Sequence, residues 1–351
     1  MPGDEQRTTV VISFTLNERP IVNRISFNGN FNVGEKDIRD VILTRERAVF
    51  SEPKLRLDKD AIAKLYVEKG FLDAKASYAF TPNKEANTVE VAFTIDEGPK
   101  TTVKRIQFSG NSFASEGTLK GLLTTKEPGF LVPGEFLESN LKQDIQAIQD
   151  YYGDHGFYFA KVEKVDRSFE LNEAERRKYI VLTYYINEGA QYTYGTTTFT
   201  GNKVFSNEKL NSLIHQKPGD FISRKKSNED YMRVIGLYYD NGYITTQIDT
   251  RERVDEGKKE ISFAITIAEG DRSHIGRIII QGNYKTKEIV IRRELPFEEG
   301  EVFNRAKIQR GYINLLRTGF FSRNIIFEPV QGSREGLIDI VITVEEERCL
   351  L

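Results

Sequence analysis

Apolar and polar residues alternate along this chain in short runs that return at regular intervals. Val89, Val91, Phe93 and Ile95 precede Glu97, and Ile180, Leu182, Tyr184 and Ile186 precede Glu188. Ile261, Phe263, Ile265 and Ile267 precede Glu269, and Ile338, Ile340, Ile342 and Val344 precede Glu346. A period of two with polar residues between predicts half-buried strands. Two further landmarks keep step with these runs. A short strand ends in Gly-Asn at Phe27-Gly29-Asn30, Phe108-Gly110-Asn111, Phe199-Gly201-Asn202 and Ile280-Gly282-Asn283. Glycine precedes an aromatic at Gly70-Phe71, Gly156-Phe157, Gly242-Tyr243 and Gly319-Phe320.

The spacings show that these are repeats. From the Gly-Asn glycine to the Gly-aromatic glycine the separations are 41, 46, 41 and 37 residues, and from there to the closing Glu they are 27, 32, 27 and 27. Chance similarity does not hold such a register. The second unit carries five extra residues in each half, one set before Gly156 and the other placed at Leu171 to Lys178. The chain also opens on the alternating run alone, with Val10, Ile12, Phe14 and Leu16 before Glu18. That start reads as the last strand of a fifth, truncated unit, so the chain reads as a piece of something longer.

Between the Gly-Asn turn and the Gly-aromatic pair the period changes to that of a helix. Leu141, Ile145, Ile148 and Tyr152 fall on one stripe that stops at Gly153-Asp154-His155-Gly156, and Tyr231, Val234 and Tyr238 repeat it before Asn241-Gly242. Ile62, Leu65 and Tyr66 do the same before Gly70. A shorter helix is predicted earlier in the unit, with Ser115 capping the turn toward Leu119 and Asn207 capping the one toward Leu210. Each unit is therefore strand, short helix, long helix, strand, strand. The last two strands form a hairpin, and both helices cover one face of the sheet.

A three-stranded sheet leaves an edge that is either defended or used to accept a strand. The candidate edges are Leu72 to Phe80, Phe159 to Val165, Thr245 to Arg251 and Arg323 to Glu328. Composition narrows the chemistry. The 351 residues hold 50 Lys plus Arg against 52 Asp plus Glu, so the chain has no overall field for nucleic acid. Its one cysteine, Cys349, permits no internal disulfide and no cysteine-built metal site. No run of about 18 apolar residues is present to span a membrane as a helix. His155, His215 and His274 sit near separate turns without ligand spacing, Lys217-Pro218-Gly219-Asp220 reads as a turn, and Arg224-Lys225-Lys226 reads as a solvated helix start. Nothing here suggests a catalyst, and no cofactor is expected.

The repeated pattern resembles the POTRA (polypeptide-transport-associated) repeats of the BamA family of outer-membrane β-barrel assembly proteins. The β-α-α-β-β order, the Gly-Asn strand end, the Gly-aromatic pair and the closing Glu-Gly at Glu97, Glu188 and Glu269 carry the resemblance. In the last unit so do Arg292-Arg293-Glu294, Glu299-Gly300, the segment Leu315 to Phe321 and the ending Val344 to Arg348. The expected architecture is α+β, with four tandem POTRA domains in an elongated array behind the remnant strand. The boundaries are 1–18 for the remnant, 19–98, 99–189, 190–270 and 271–348 for the domains, and 349–351 for a truncated tail. Bending is expected near Gly98-Pro99, Gly189-Ala190 and Gly270-Asp271.

The resemblance implies a scaffold at the periplasmic face of the outer membrane that engages accessory lipoproteins and unfolded outer-membrane β-barrel proteins. The membrane barrel of the parent would lie beyond this piece. Glu294, with Arg292 and Arg293, matches the family motif implicated in docking the lipoprotein BamD. Phe159, Lys161, Val162 and Val165 in the second unit and Ile248 in the third match edges proposed for strand addition. A POTRA arm of a related secretion or translocation barrel is the alternative. A hydrolase built on repeats would need convergent polar residues that the sequence does not supply.

Overall fold

The computed structural model describes residues 18–172 and 177–347. The remnant strand expected over Val10 to Leu16 and the tail 349–351 lie outside the described residues, as do residues 173–176, where part of the second insertion is expected. By contact the chain divides into two compact units: residues up to Ile148 with Val162–Asn187, and Gln149–Lys161 with the residues from Glu188 onward.

The first domain runs β1 (Ile21–Asn28), α1 (Glu35–Val41), α2 (Glu52–Glu68), β2 (Lys75–Asn83) and β3 (Thr88–Asp96). The second runs β4 (Thr101–Ser109), α3 (Glu116–Leu122), α4 (Glu138–Asp154), β5 (Lys161–Asn172) and β6 (Arg177–Asn187). The third runs β7 (Thr193–Thr200), α5 (Asn207–Asn211), α6 (Arg224–Asp240), β8 (Gln247–Asp255) and β9 (Glu260–Ala268). The fourth runs β10 (His274–Gln281), α7 (Glu288–Arg292), α8 (Arg305–Arg317), β11 (Ile326–Gln331) and β12 (Leu337–Thr343). These are four tandem β-α-α-β-β domains.

Each sheet puts its last strand in the centre, in the orders β1-β3-β2, β4-β6-β5, β7-β9-β8 and β10-β12-β11. The first strand pairs with it in parallel, because two helices carry the chain back before the hairpin begins. The central strands are those with the cleanest alternation. Val89, Val91, Phe93 and Ile95 are at most 5% exposed, and Ile261 to Ile267 repeat the pattern. The long helices lay Tyr66 and Tyr238 onto this face, both fully buried. Ser115 caps α3 as its spacing predicts, accepting from the Thr118 N–H. In the third domain the cap is Ser206 rather than Asn207, one residue earlier, because its hydroxyl accepts from the Lys209 N–H.

The Gly-Asn turn has a steric cause. Gly201 has φ of +82°, and a Cβ there would stand 2.2 Å from the Ile267 carbonyl oxygen; at Gly282 it would stand 2.0 Å from that of Val344. Only glycine passes this close to the end of the central strand. The asparagine that follows closes the loop, its side chain donating three residues on at Asn30, Asn111, Asn202 and Asn283. The closing glutamate meets the same loop from the strand side. Glu97 accepts the Asn32 N–H, Glu269 those of Lys203 and Val204, and Glu346 those of Lys285 and Thr286.

A buried carboxylate recurs without any signal in hydropathy. Asp58 on α2 accepts the N–H groups of Leu43 and Thr44, Asp144 on α4 those of Thr124 and Thr125, and Asp230 on α6 those of His215 and Gln216. The fourth domain places Gly311 there, packed near Leu295, Pro296 and Phe297. Pro296 has no N–H, so one of the two bonds the carboxylate accepts in the other domains has no counterpart here.

The first of the two five-residue insertions falls between Glu127 and Glu135. It forms a tight turn in which Gly129 and Val132 exchange backbone hydrogen bonds of 3.0 and 3.1 Å, with Phe130 and Leu131 at its exposed tip. The shorter fourth unit is explained by α8, which has 13 residues where α2, α4 and α6 have 17. Successive repeats are also joined by backbone. Gly70, Gly156 and Gly242 present their carbonyls to the N–H groups of Thr101, Tyr192 and Ser273 at 2.8 to 2.9 Å.

Candidate functional site

The outer side of each first strand is already occupied. The loop ahead of the long helix runs along it, with the N–H groups of Val22, Val103, Tyr194 and Ile275 donating to Ala48, Gly134, Asp220 and Glu301 at 2.7 to 2.9 Å. Among the described residues no further strand pairs on the far side of β2, β8 and β11.

In the third domain this open side borders a groove of about 460 Å³ between β8 and α6. Ile214, Phe263 and Ile265 contribute its apolar part, Ile248, Thr250 and Glu252 its strand wall, and Ser227, Asn228 and Tyr231 its helix wall. Tyr158, contributed from ahead of β5, lines it as well. The Tyr158 hydroxyl donates to Glu252, its backbone carbonyl accepts from Arg224, and the Arg224 guanidinium stands 5.2 Å from the centre of its ring. Burial pushes the Tyr158 hydroxyl well above the ordinary tyrosine range, and Glu252 raises it further.

The fourth domain repeats the groove in apolar form, with about 590 Å³ lined by Tyr239, Ile244, Phe303, Ile308, Tyr312, Phe327 and Pro329 among others. Phe327 packs edge-on to Tyr312 at 6.3 Å. Among the described residues no group of three His, Cys, Asp or Glu side chains could hold a metal ion, and no helix is long and apolar enough to cross a membrane. What the surface offers chemically is backbone pairing, apolar contact and charge.

The residues singled out from the sequence fall on two features. Lys161, Val162 and Val165 lie on β5, preceded by Phe159, whose half-exposed ring packs edge-on to Tyr158 and Tyr192 at 5.3 and 5.4 Å. Ile248 lies on β8 and lines its groove. Arg292 ends α7, Arg293 caps it and Glu294 follows. Their roles in the fold differ. Arg292 bonds Glu288 at 2.6 Å and the Ile278 carbonyl at 2.8 Å, as Arg39 bonds Glu35 and the Ile25 carbonyl in the first domain. Arg293 is 63% exposed in its side chain and pairs with Glu294 at 3.4 Å, leaving that pair at the surface. Sequence reasoning did not find the bond between Tyr158 and Glu252. Its only sequence signal is that Tyr158 follows the Gly-aromatic pair.

Comparison with known proteins places this geometry. The family model POTRA, described as a surface antigen variable number repeat, matches residues 20–98, 101–189, 192–270 and 273–347. A putative outer membrane protein assembly factor of Treponema pallidum is 35% identical over 347 residues, covering 99% of this chain and 41% of that protein. The outer membrane protein assembly factor BamA of Nitratidesulfovibrio vulgaris is 25% identical, covering 96% of this chain and 43% of that protein. The chain thus spans about two fifths of the length of these relatives. The crystal structure of POTRA3-5 of Haemophilus influenzae BamA superposes with a TM-score of 0.59 at 24% identity, covering 70% of this chain and 96% of that one.

Proposed function

The chain belongs to the POTRA family, its repeats being of the kind carried by BamA-type outer-membrane assembly proteins, and from that membership we propose that they form a periplasmic scaffold for outer-membrane β-barrel assembly. In this reading the repeats bind accessory lipoproteins of the BamD type and unfolded β-barrel proteins, while a membrane barrel in the parent protein performs insertion. The observation that carries the reading is the open sheet edge beside an apolar groove in the third domain, where an extended chain can add backbone bonds and bury side chains together. The exposed Arg293, paired with the half-buried Glu294, supports a separate charged contact for the lipoprotein.

The test is binding of a BamD-type lipoprotein and of a urea-unfolded outer-membrane β-barrel protein to the immobilised chain. Glu294→Lys is expected to weaken the lipoprotein about tenfold while leaving the unfolded chain unaffected. A control reversal at Glu335, far along the sequence from that pair, should change neither. Lipoprotein binding that ignores Glu294→Lys removes the proposed contact, and absence of binding by both ligands removes the scaffold reading.

A further inference from the structure

Each long helix starts on a charged residue, and in three of the four that side chain has a polar partner. Glu52 opens α2 and pairs with Arg56 at 3.0 Å. Glu138 opens α4 and accepts two bonds from Arg167, at 2.6 and 2.9 Å. Arg224 opens α6 and donates to the Tyr158 carbonyl, beside the Tyr158 hydroxyl that holds Glu252. Arg305 opens α8 at the same place, directly after the cap Asn304. It is exposed, and among the described residues it bonds no carboxylate and no carbonyl. Its guanidinium stands 5.9 Å from the centre of the Tyr239 ring.

The neighbours of the two arginines explain the difference. Gly153 and Tyr239 each precede the aspartate that ends the preceding long helix. A Cβ at Gly153 would lie 2.6 Å from Arg224 Cδ, so Arg224 folds into space that only glycine leaves. Tyr239 puts a ring there instead, beside Arg305. Tyr158 stands two residues after Gly156, and Ile244 stands two after Gly242. Glu252 pairs with Phe263, the second apolar residue of its central strand, and Pro329 pairs with Ile340, the second of its own. Ser227 follows Arg224 by three residues, and Ile308 follows Arg305 by three. The groove of the third domain thus carries the carboxylates Glu252 and Asp230 beside its cation. The groove of the fourth keeps the cation, and among the described residues no carboxylate lines it.

We propose that the groove of the fourth domain is a binding site for a long-chain carboxylate. The alkyl chain lies against Ile244, Ile308, Tyr312 and Phe327, and the carboxylate head meets Arg305. Charge complementarity selects the head: the repeat that keeps the arginine has lost the acidic side chains that accompany it one domain earlier. A guanidinium fork pairs with a carboxylate through two parallel bonds, as Arg167 and Glu138 do in this chain, and the Gln309 amide at the groove adds a donor. The walls select the tail. A peptide backbone would bring an N–H and a carbonyl for every residue into a groove whose strand wall carries Pro329, whereas an alkyl chain brings no polar group to satisfy. A volume of about 590 Å³ lies within the range of small-molecule sites. This site does not rest on the scaffold reading.

The test is a titration of the whole chain, with isotope-labelled isoleucine δ1-methyl groups, by dodecanoate kept below micelle formation. Saturable shifts are expected at Ile244 and Ile308, and none at Ile214, Ile248 and Ile265, which line the groove where Glu252 and Asp230 repel the head. Arg305→Gln removes the charge from an exposed side chain and is expected to weaken dodecanoate about tenfold while leaving dodecanol unchanged. Ile308→Ser, which installs the residue of the third domain, should weaken both. Decanoate, two methylenes shorter, should bind about tenfold more weakly than dodecanoate. Equal shifts in the two grooves, dodecanoate bound no more tightly than dodecanol, or full affinity in Arg305→Gln overturns the proposal. So does the absence of shifts at Ile244 and Ile308. An acidic amphipathic helical peptide, or vesicles of phosphatidylglycerol, moving those two methyls while dodecanoate leaves them in place would assign the groove to a protein or a membrane surface and overturn it as well.

Discussion

The hydroxyl of Tyr238 donates to the carboxylate of Glu269 at 2.7 Å, joining the last turn of α6 to the end of the central strand. Glu269 also accepts the N–H groups of Lys203 and Val204, so one side chain ties helix, strand and Gly-Asn loop together. This explains why an acidic residue closes the alternating run. Tyr238→Phe removes a single donor and is expected to destabilise the third domain by about 1 kcal/mol. Glu269→Ala leaves a buried hydroxyl and two N–H groups without their acceptor and is expected to cost about 2 to 3 kcal/mol. Hydrogen exchange of the β9 amides measures both; equal losses would mean that the tyrosine carries the whole link.

The carboxyl at this position also sets a pH limit. Burial raises the pKa of Glu269, but the bonds from Tyr238, Val204 and Lys203 outweigh it and hold the group below the ordinary value of 4.5. At Glu346 the Thr286 N–H leads the same lowering against a smaller effect of burial. A carboxyl with a lowered pKa in the folded state stabilises above its unfolded value, and that contribution is lost as pH falls through the folded value. Stability is therefore expected to hold from neutral pH to about pH 5 and to fall progressively below pH 4.5. In Glu269→Gln the fall contributed by the third domain should shrink. Denaturation curves at a series of pH values check this, and an unchanged slope would exclude Glu269 as a source.

Much of this architecture is legible in the sequence because period two and period 3.6 are written directly into the side chains. The run from Val89 to Ile95 and the stripe ending at Tyr152 each name a face. Asp58, Asp144 and Asp230 were not legible by that route, since a buried carboxylate breaks an apolar stripe. The signal was nonetheless present: each stands four residues before Ile62, Ile148 or Val234 and eight before Tyr66, Tyr152 or Tyr238. The candidate edges were found as segments. Pro329 was visible as a residue, and only the fold brings it to the groove that Arg305 lines. Tyr158 and Glu252 lie 94 positions apart, and no local pattern joins them.

The two kinds of left-handed glycine predict different tolerance. Gly201 and Gly219 both have positive φ, but a Cβ at Gly201 would meet the Ile267 carbonyl at 2.2 Å while one at Gly219 would meet nothing within 4 Å. Gly219→Ala is expected to cost about 1 kcal/mol from backbone strain alone. Gly201→Ala must also displace the end of β9 or its own turn and is expected to cost about 3 kcal/mol or more. Thermal unfolding of the two variants separates strain from collision, and similar shifts would show that the turn can move aside.

Asp240 makes a different kind of link, between domains of one compact unit. It is the last residue of α6, and its carboxylate accepts the Ala306 N–H at 2.9 Å while its backbone carbonyl accepts from Asn304 at 2.7 Å. Asn304 in turn caps α8 through the Lys307 N–H. The end of one long helix thereby supplies acceptors at the start of the next, where free N–H groups gather and a negative charge is favoured. Asp154 does the same for α6, accepting from the Ser223 hydroxyl and the Lys225 N–H. Asp240→Ala removes the side-chain acceptor and is expected to destabilise the first turn of α8 by about 1 kcal/mol. Exchange at Ala306 should accelerate about fivefold, while the β12 amides, held by the fourth domain's own core, should be unchanged. Asp240→Asn retains a neutral acceptor and should recover most of the protection. Equal acceleration in both variants would identify the charge rather than the hydrogen bond as the tie.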